Sequence, residues 1–152
     1  MLALGCCFSP LGCAQGGVSA PAPVISAIIL ERDCFGCSTG SNLVLRRDGT
    51  ASVTVTGNAR HGTESKASTG KVRVEDFEEL ARYIVAQGFF DMKEQYEDPQ
   101  IRDGPWSATT VTRGGQDKRV FRRDNAGPAN LLGVEKAIDD LKSRIEFTPN
   151  NR

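Results

Sequence analysis

Apolar and polar positions change rhythm several times along this 152-residue chain. Residues 24–30 (VISAIIL) are a continuous, β-branched run, long enough for a strand buried on at least one face. A loop at 33–40 leads into a second strand over 42–46, and Asp48-Gly49 supplies a hairpin turn because glycine tolerates positive φ. Ala51, Val53 and Val55 then alternate with Ser52, Thr54 and Thr56, the period of two that marks a half-buried antiparallel strand. Residues 57–70 are polar and predict a long exposed loop, followed by a short edge strand at 71–74. Over 75–87 the period lengthens to that of a helix: Phe77, Leu80, Ala81, Ile84 and Val85 fall on one face. Glu75 and Asp76 suit its positive end, and Gly88 is placed to stop it. Phe89 and Phe90 are expected to fold back onto the core.

Beyond a loop at 98–105, residues 107–112 predict a strand, Gly114-Gly115 a turn, and 119–122 its partner. Pro128 is expected at the first position of a last helix, where a missing N–H costs nothing. Leu131, Val134, Ile138, Leu141 and Ile145 form its apolar face, and the segment after Phe147 reads as a polar tail. The element order is β-β-β-(β)-α-β-β-α. Hairpins dominate, which predicts an α+β fold: an antiparallel sheet of about five to six strands with two helices packed on one face.

Charge changes this picture at the front of the chain. No ionisable acid or base precedes Glu31, whereas the remainder carries all 19 basic and 19 acidic side chains. Residues 1–14 (MLALGCCFSPLGCA) resemble the apolar and small-residue part of an export signal peptide. Leu11-Gly12-Cys13 is similar to a lipoprotein processing site, which would lipidate Cys13 and leave the protein membrane-anchored. Gly12-x-Ala14 offers the alternative, cleavage before Gln15. The leader lacks an initial Lys or Arg, so the true start is expected upstream of Met1. Residues 15–23 then form a flexible tether, 24–147 a single globular domain and 148–152 the tail. The net charge of zero argues against nucleic-acid binding, which needs surplus cations to displace counterions from phosphate.

Cysteine usage agrees with export. Of five cysteines, Cys6, Cys7 and Cys13 lie in the leader. Cys34 and Cys37 remain in the body and can pair as a disulfide in an oxidising compartment such as the periplasm. The same C-x-x-C pair admits a thiol-disulfide redox role, but it lies between two predicted strands with Asp33 beside it. An anion there raises a thiol pKa instead of lowering it. A closed zinc site needs four ligands, and Cys34, Cys37 and His61 are too few, so no metal is assigned. No G-x-S-x-G elbow or G-x-x-x-x-G-K phosphate loop occurs, so no catalytic residue and no cofactor is assigned. Arg46 and Arg47 precede one turn, and Arg119, Arg122 and Arg123 follow another. If those strand ends are neighbours they make a basic patch.

Four blocks carry a family resemblance: Cys34-Phe35-Gly36-Cys37; Asp48-Gly49-Thr50; Gly88-Phe89-Phe90 with Tyr96 and Asp103-Gly104-Pro105; and Gly127-Pro128-Ala129-Asn130-Leu131 leading into Glu135-Lys136-Ala137-Ile138-Asp139. In that order they resemble the bacterial family catalogued as domain of unknown function 6438, over about residues 26 to 146. This chain departs from the family's pattern where Cys37 follows Gly36 directly and Ser38 replaces a proline. The resemblance implies an exported or lipoprotein-like protein and brings no activity with it. We single out Tyr96, Asp103 and the lone tryptophan, Trp106, as candidate binding residues. The expected function is that of a non-catalytic binding or accessory module of the cell envelope. Its partner would be an unknown envelope protein or a small ligand, with a lipid anchor through Cys13 as an option.

Overall fold

A computed structural model describes residues 24–101 and 103–150; the predicted leader, Cys13, the whole of the tether and the last two residues of the tail lie outside them. The chain forms β1 (Ile25–Asp33), β2 (Thr39–Arg46), β3 (Thr50–Gly57), β4 (Lys66–Lys71), α1 (Val74–Ala86), β5 (Gln95–Tyr96), β6 (Trp106–Arg113), β7 (Gln116–Arg123), α2 (Ala129–Lys142) and β8 (Phe147–Pro149). All eight strands join one sheet in the order β5-β7-β6-β1-β2-β3-β4-β8.

This overturns the expected antiparallel sheet of five to six strands with two helices on one face: the sheet has eight strands and is mixed. β5 runs parallel to β7, whereas every other pairing is antiparallel. Two additions account for most of the difference. β5 is two residues long and β8 three, too short for any period to register. β8 also converts the expected tail into an edge partner of β4 through Ser68↔Pro149 and Gly70↔Phe147. β4 itself, KASTGK, lies mostly in the expected loop: the edge strand expected at 71–74 sits five residues earlier, and Val74 already begins α1. The polar side chains of β4 carry no burial signal, and its place is set by backbone pairing with β3.

The hairpins form where glycine permits. At the β2–β3 turn Gly49 adopts φ 88° and donates its N–H to Arg46 O, while Asp48 Oδ1 accepts from Thr50 N (2.9 Å) and Thr50 Oγ1 (2.6 Å). At the β6–β7 turn Gly114 and Gly115 both have positive φ, as a tight hairpin twisted to match its strands requires.

β1 sits at the centre of the sheet, between β2 and β6. Its alternate residues Ile28 and Leu30 share a face with Leu45, Leu43, Val111 and Val120 through the strand registers. These side chains are buried in one cluster with Phe77, Leu80, Ala81 and Ile84 of α1 and Leu131, Val134, Ile138 and Leu141 of α2. The expected helix faces hold, apart from Val85, which is exposed, and Ile145, which follows α2. Phe89 is fully buried and Phe90 packs against the cluster, with Arg113 over its ring at 3.5 Å. Pro128 is the N-cap of α2, one position earlier than expected. Asn130 Nδ2 donates to Gln87 O at the end of α1 (2.7 Å), tying the two helices together. Among the described residues no helix is long and apolar enough to cross a membrane.

Candidate functional site

The inward period of β1 does not stop at Leu30. Two residues on, the same face carries Arg32, which stands opposite Ser41 of β2 and Ser107 of β6. Ser107 stands opposite Arg122 of β7, and Ser41 opposite Val55 of β3. A single rung of the sheet therefore reads Val55, Ser41, Arg32, Ser107, Arg122, just past the end of the apolar core.

Helix α2 answers the two arginines. Glu135 is 3% exposed and accepts from Arg122 Nε (2.8 Å), Arg122 Nη2 (2.7 Å) and Ser107 Oγ (2.6 Å). Asp139, one turn later, takes a two-pronged bond from Arg32 Nη1 and Nη2, both at 2.8 Å. Arg32 Nη2 also lies 3.6 Å from Glu135. The Asp139 hydrogen bond is the main cause that holds the Arg32 guanidinium above its usual pKa; the charges of Asp139 and Glu135 add to it against the opposing effect of burial. Arg122 Nη1 donates to the carbonyl of Asp124. These fork-shaped pairs fix α2 to the sheet in one geometry, since bidentate guanidinium–carboxylate bonding constrains orientation as well as distance.

Outside this network lies an open groove of about 590 Å³. The rung supplies its floor with Arg32, Ser41, Ser107 and Arg122, and Cys34, Cys37, Pro105 and Trp106 supply apolar wall. Asp33 and Asp124 also line it. Cys34 and Cys37 stand at disulfide distance with Cα atoms 5.3 Å apart. Asp33 Oδ1 accepts from the backbone N–H of Cys34 (2.7 Å), and Gly36 turns the loop with φ 83°. Phe35, at the tip, is 75% exposed. On the other wall Trp106 packs at 5.8 Å from Phe121. Asp124 holds the backbone at φ 50°, donates its N–H to Pro105 O (2.7 Å), and leaves buried Oδ2 without a hydrogen-bond partner.

Of the candidate residues read from the sequence, the structure brings Cys34, Cys37 and Trp106 to this groove. Tyr96 lies on β5, packs against the core and accepts from Lys93 N (3.1 Å). Asp103 is exposed in the loop before β6 and does not line the groove. The basic patch does not form. Arg46 aligns through Ala27 and Thr112 with Asp117, at the opposite end of the sheet from Arg122 and Arg123. Arg47 pairs with Glu78, Arg119 with Glu31, Arg122 with Glu135 and Arg123 with Glu97. His61 is exposed in a short 3-10 turn, and no group of three or more metal-ligating side chains occurs among the described residues.

Sequence reasoning missed Glu135, Asp139, Arg32 and Asp124. The first had a readable signal: Glu135 falls four residues after Leu131 and three before Ile138, on the buried stripe of α2. Arg32 likewise continues the inward alternation of Ile28 and Leu30. A charge at an apolar position implies a partner, but not which one.

Sheet, helices and groove define a small module of strands and helices that presents one rigid, partly apolar recess at the end of its sheet. The chain belongs to the family described as Domain of unknown function (DUF6438), whose model matches residues 26–142. No curated protein matches the chain.

Proposed function

We propose that this protein is a non-catalytic binding module that works outside the cytoplasm, with the groove beside Trp106 as its ligand site. The observation that carries this reading is a recess of about 590 Å³ with apolar walls and a few convergent polar groups, held by a salt-bridge network. That volume and mixture are typical of small-ligand sites. The network matters because a recess whose arginines are held by ion pairs is already shaped before a ligand arrives, which lowers the ordering cost of binding.

The extracytoplasmic part rests on the uncharged leader and on the Cys34–Cys37 pair, since disulfides persist mainly in oxidising compartments. The thiol-disulfide alternative is the weaker reading: the Asp33 carboxylate bonded beside Cys34 disfavours a thiolate there.

Two measurements test the proposal. Intact mass spectrometry of protein from its native host is expected to show loss of the leader, by cleavage or with lipid on Cys13, and the mass of one disulfide. A full-length chain with both thiols reduced would remove the compartment. Affinity capture from envelope extract is expected to retain a partner or ligand that Trp106→Ala loses. Equal retention by both proteins would take the groove out of the function.

A further inference from the structure

We infer that the groove takes a positively charged organic group, an ammonium or guanidinium carried on an apolar body. This rests on reading the groove as a ligand site and names the chemistry that site selects.

The argument is one of charge balance. Four charged side chains line the groove: Arg32, Arg122, Asp33 and Asp124. Counted alone they cancel. The two guanidiniums are already committed, however. Arg122 directs all three nitrogens to Glu135 and to the Asp124 carbonyl, and Arg32 directs two to Asp139. Each arginine therefore has a carboxylate of α2 as its counter-ion, and neither of those carboxylates lines the groove. Asp33 and Asp124 have no such cover. Among the described residues neither has a basic side chain within salt-bridge distance. Asp33 uses one oxygen on the Cys34 N–H, and Asp124 keeps a buried oxygen with no donor. The unspent capacity of the groove is thus negative charge: Asp33 has an oxygen that no hydrogen bond among the described residues uses, and Asp124, whose Oδ2 is closed off from solvent against Gly104, acts through its charge alone.

Trp106 completes the match. In the β1–β6 register it stands directly opposite Asp33, so carboxylate and indole flank one space at the end of the sheet. An indole face and a carboxylate both attract a cation, the first through its ring quadrupole. Pro105, Val55 and the Cys34–Cys37 pair give the cation's carbon body something to cover. An anionic ligand would meet two uncompensated carboxylates, and the arginines could reach it only by leaving Glu135 and Asp139.

Trp106 is the chain's sole tryptophan, so its fluorescence reports on this site alone. The test is a titration of the full chain with three probes that share a ring and differ in charge: benzylamine, benzyl alcohol and benzoate. Benzylamine is expected to shift the Trp106 emission with an affinity at least about tenfold above the other two, weakening as salt rises. Asp33→Asn and Asp124→Asn keep the side-chain shapes, and Asn tolerates the backbone at 124. Each is expected to reduce the benzylamine affinity several-fold without moving the urea midpoint. A lysine peptide with blocked ends, run beside benzylamine, separates a peptide side chain from a free amine as the natural source; tighter binding of either one supports the cation. Benzoate or benzyl alcohol binding as well as benzylamine would overturn the cation and leave the groove as a ligand site. Unchanged benzylamine affinity in both Asn variants overturns it as well. Silence from all three probes counts against the groove itself.

Discussion

Glu135→Gln isolates the charge at the centre of the network. The variant keeps the shape of the side chain, removes its charge, and turns one acceptor oxygen into an amide donor that faces Arg122. Glu135 is 3% exposed and Arg122 16%, so water cannot take over as counter-ion for the guanidinium. Removing one partner of a buried pair costs roughly 3–5 kcal/mol. Arg32 lies 3.6 Å from Glu135 but keeps Asp139, so its loss is partial, and a total of about 3 kcal/mol is expected. With a urea slope of ~2 kcal/mol per molar, the midpoint should fall by about 1.5 M. Trp106 fluorescence and far-ultraviolet circular dichroism follow the transition independently. The control is Glu135→Met with Arg122→Met, which removes both charges and fills the volume. With the single variants Glu135→Met and Arg122→Met closing the cycle, each expected to cost about 3 kcal/mol, that double variant is expected to cost ~1 kcal/mol or less, giving a coupling energy well above ~2 kcal/mol. A single Gln variant within ~0.5 kcal/mol of the parent, or strict additivity in the cycle, would refute the view that the pair acts as one buried unit.

Other outcomes follow from single features. A Cβ at Gly57 would overlap backbone atoms of Thr63, Glu64 and Ser65, which cannot swing aside, so Gly57→Ala is expected to lower stability by ~1–3 kcal/mol by urea denaturation; a neutral result would show that the 58–65 loop yields freely. The Cys34–Cys37 ring closes a sequence separation of only 3, so chain entropy limits its worth to ~2 kcal/mol. Unfolding with and without reductant measures this, and a larger loss would mean that the ring also supports the groove wall. Asp48 and Asp76 are both held below the ordinary aspartate range, Asp48 chiefly by the Thr50 hydroxyl and Asp76 chiefly by the Arg73 guanidinium. Their depressed folded values give stability that is fully present above the unfolded pKa of about 3.9 and lost as pH falls through the folded value. Urea midpoints of Asp48→Asn and Asp76→Asn should therefore trail the parent near neutrality and converge with it in acid; a gap independent of pH would contradict the assignment.

Much of the local structure was present in the order of residues. The run at 24–30, the alternation from Ala51 to Thr56, the turns at Gly49 and Gly114-Gly115 and the stripes of α1 and α2 each arise from interactions within a few residues, and each became the element its period implied. The Cys34–Cys37 pairing was legible for the same reason: only two residues lie between the cysteines. What the tertiary structure alone decided is every choice of distant partner. A period of two states which side chains share a face, but not which strand lies beside them. So β5 and β8, the parallel pairing and the true strand count were invisible in the sequence. The groove is of this kind as well. Its floor joins Arg32, Ser41, Ser107 and Arg122 from four strands, and its rigidity comes from Glu135 and Asp139 on a helix more than a hundred residues after Arg32. A charge can stay on a buried face only where another segment brings its counter-ion, and that meeting exists only once the chain has folded.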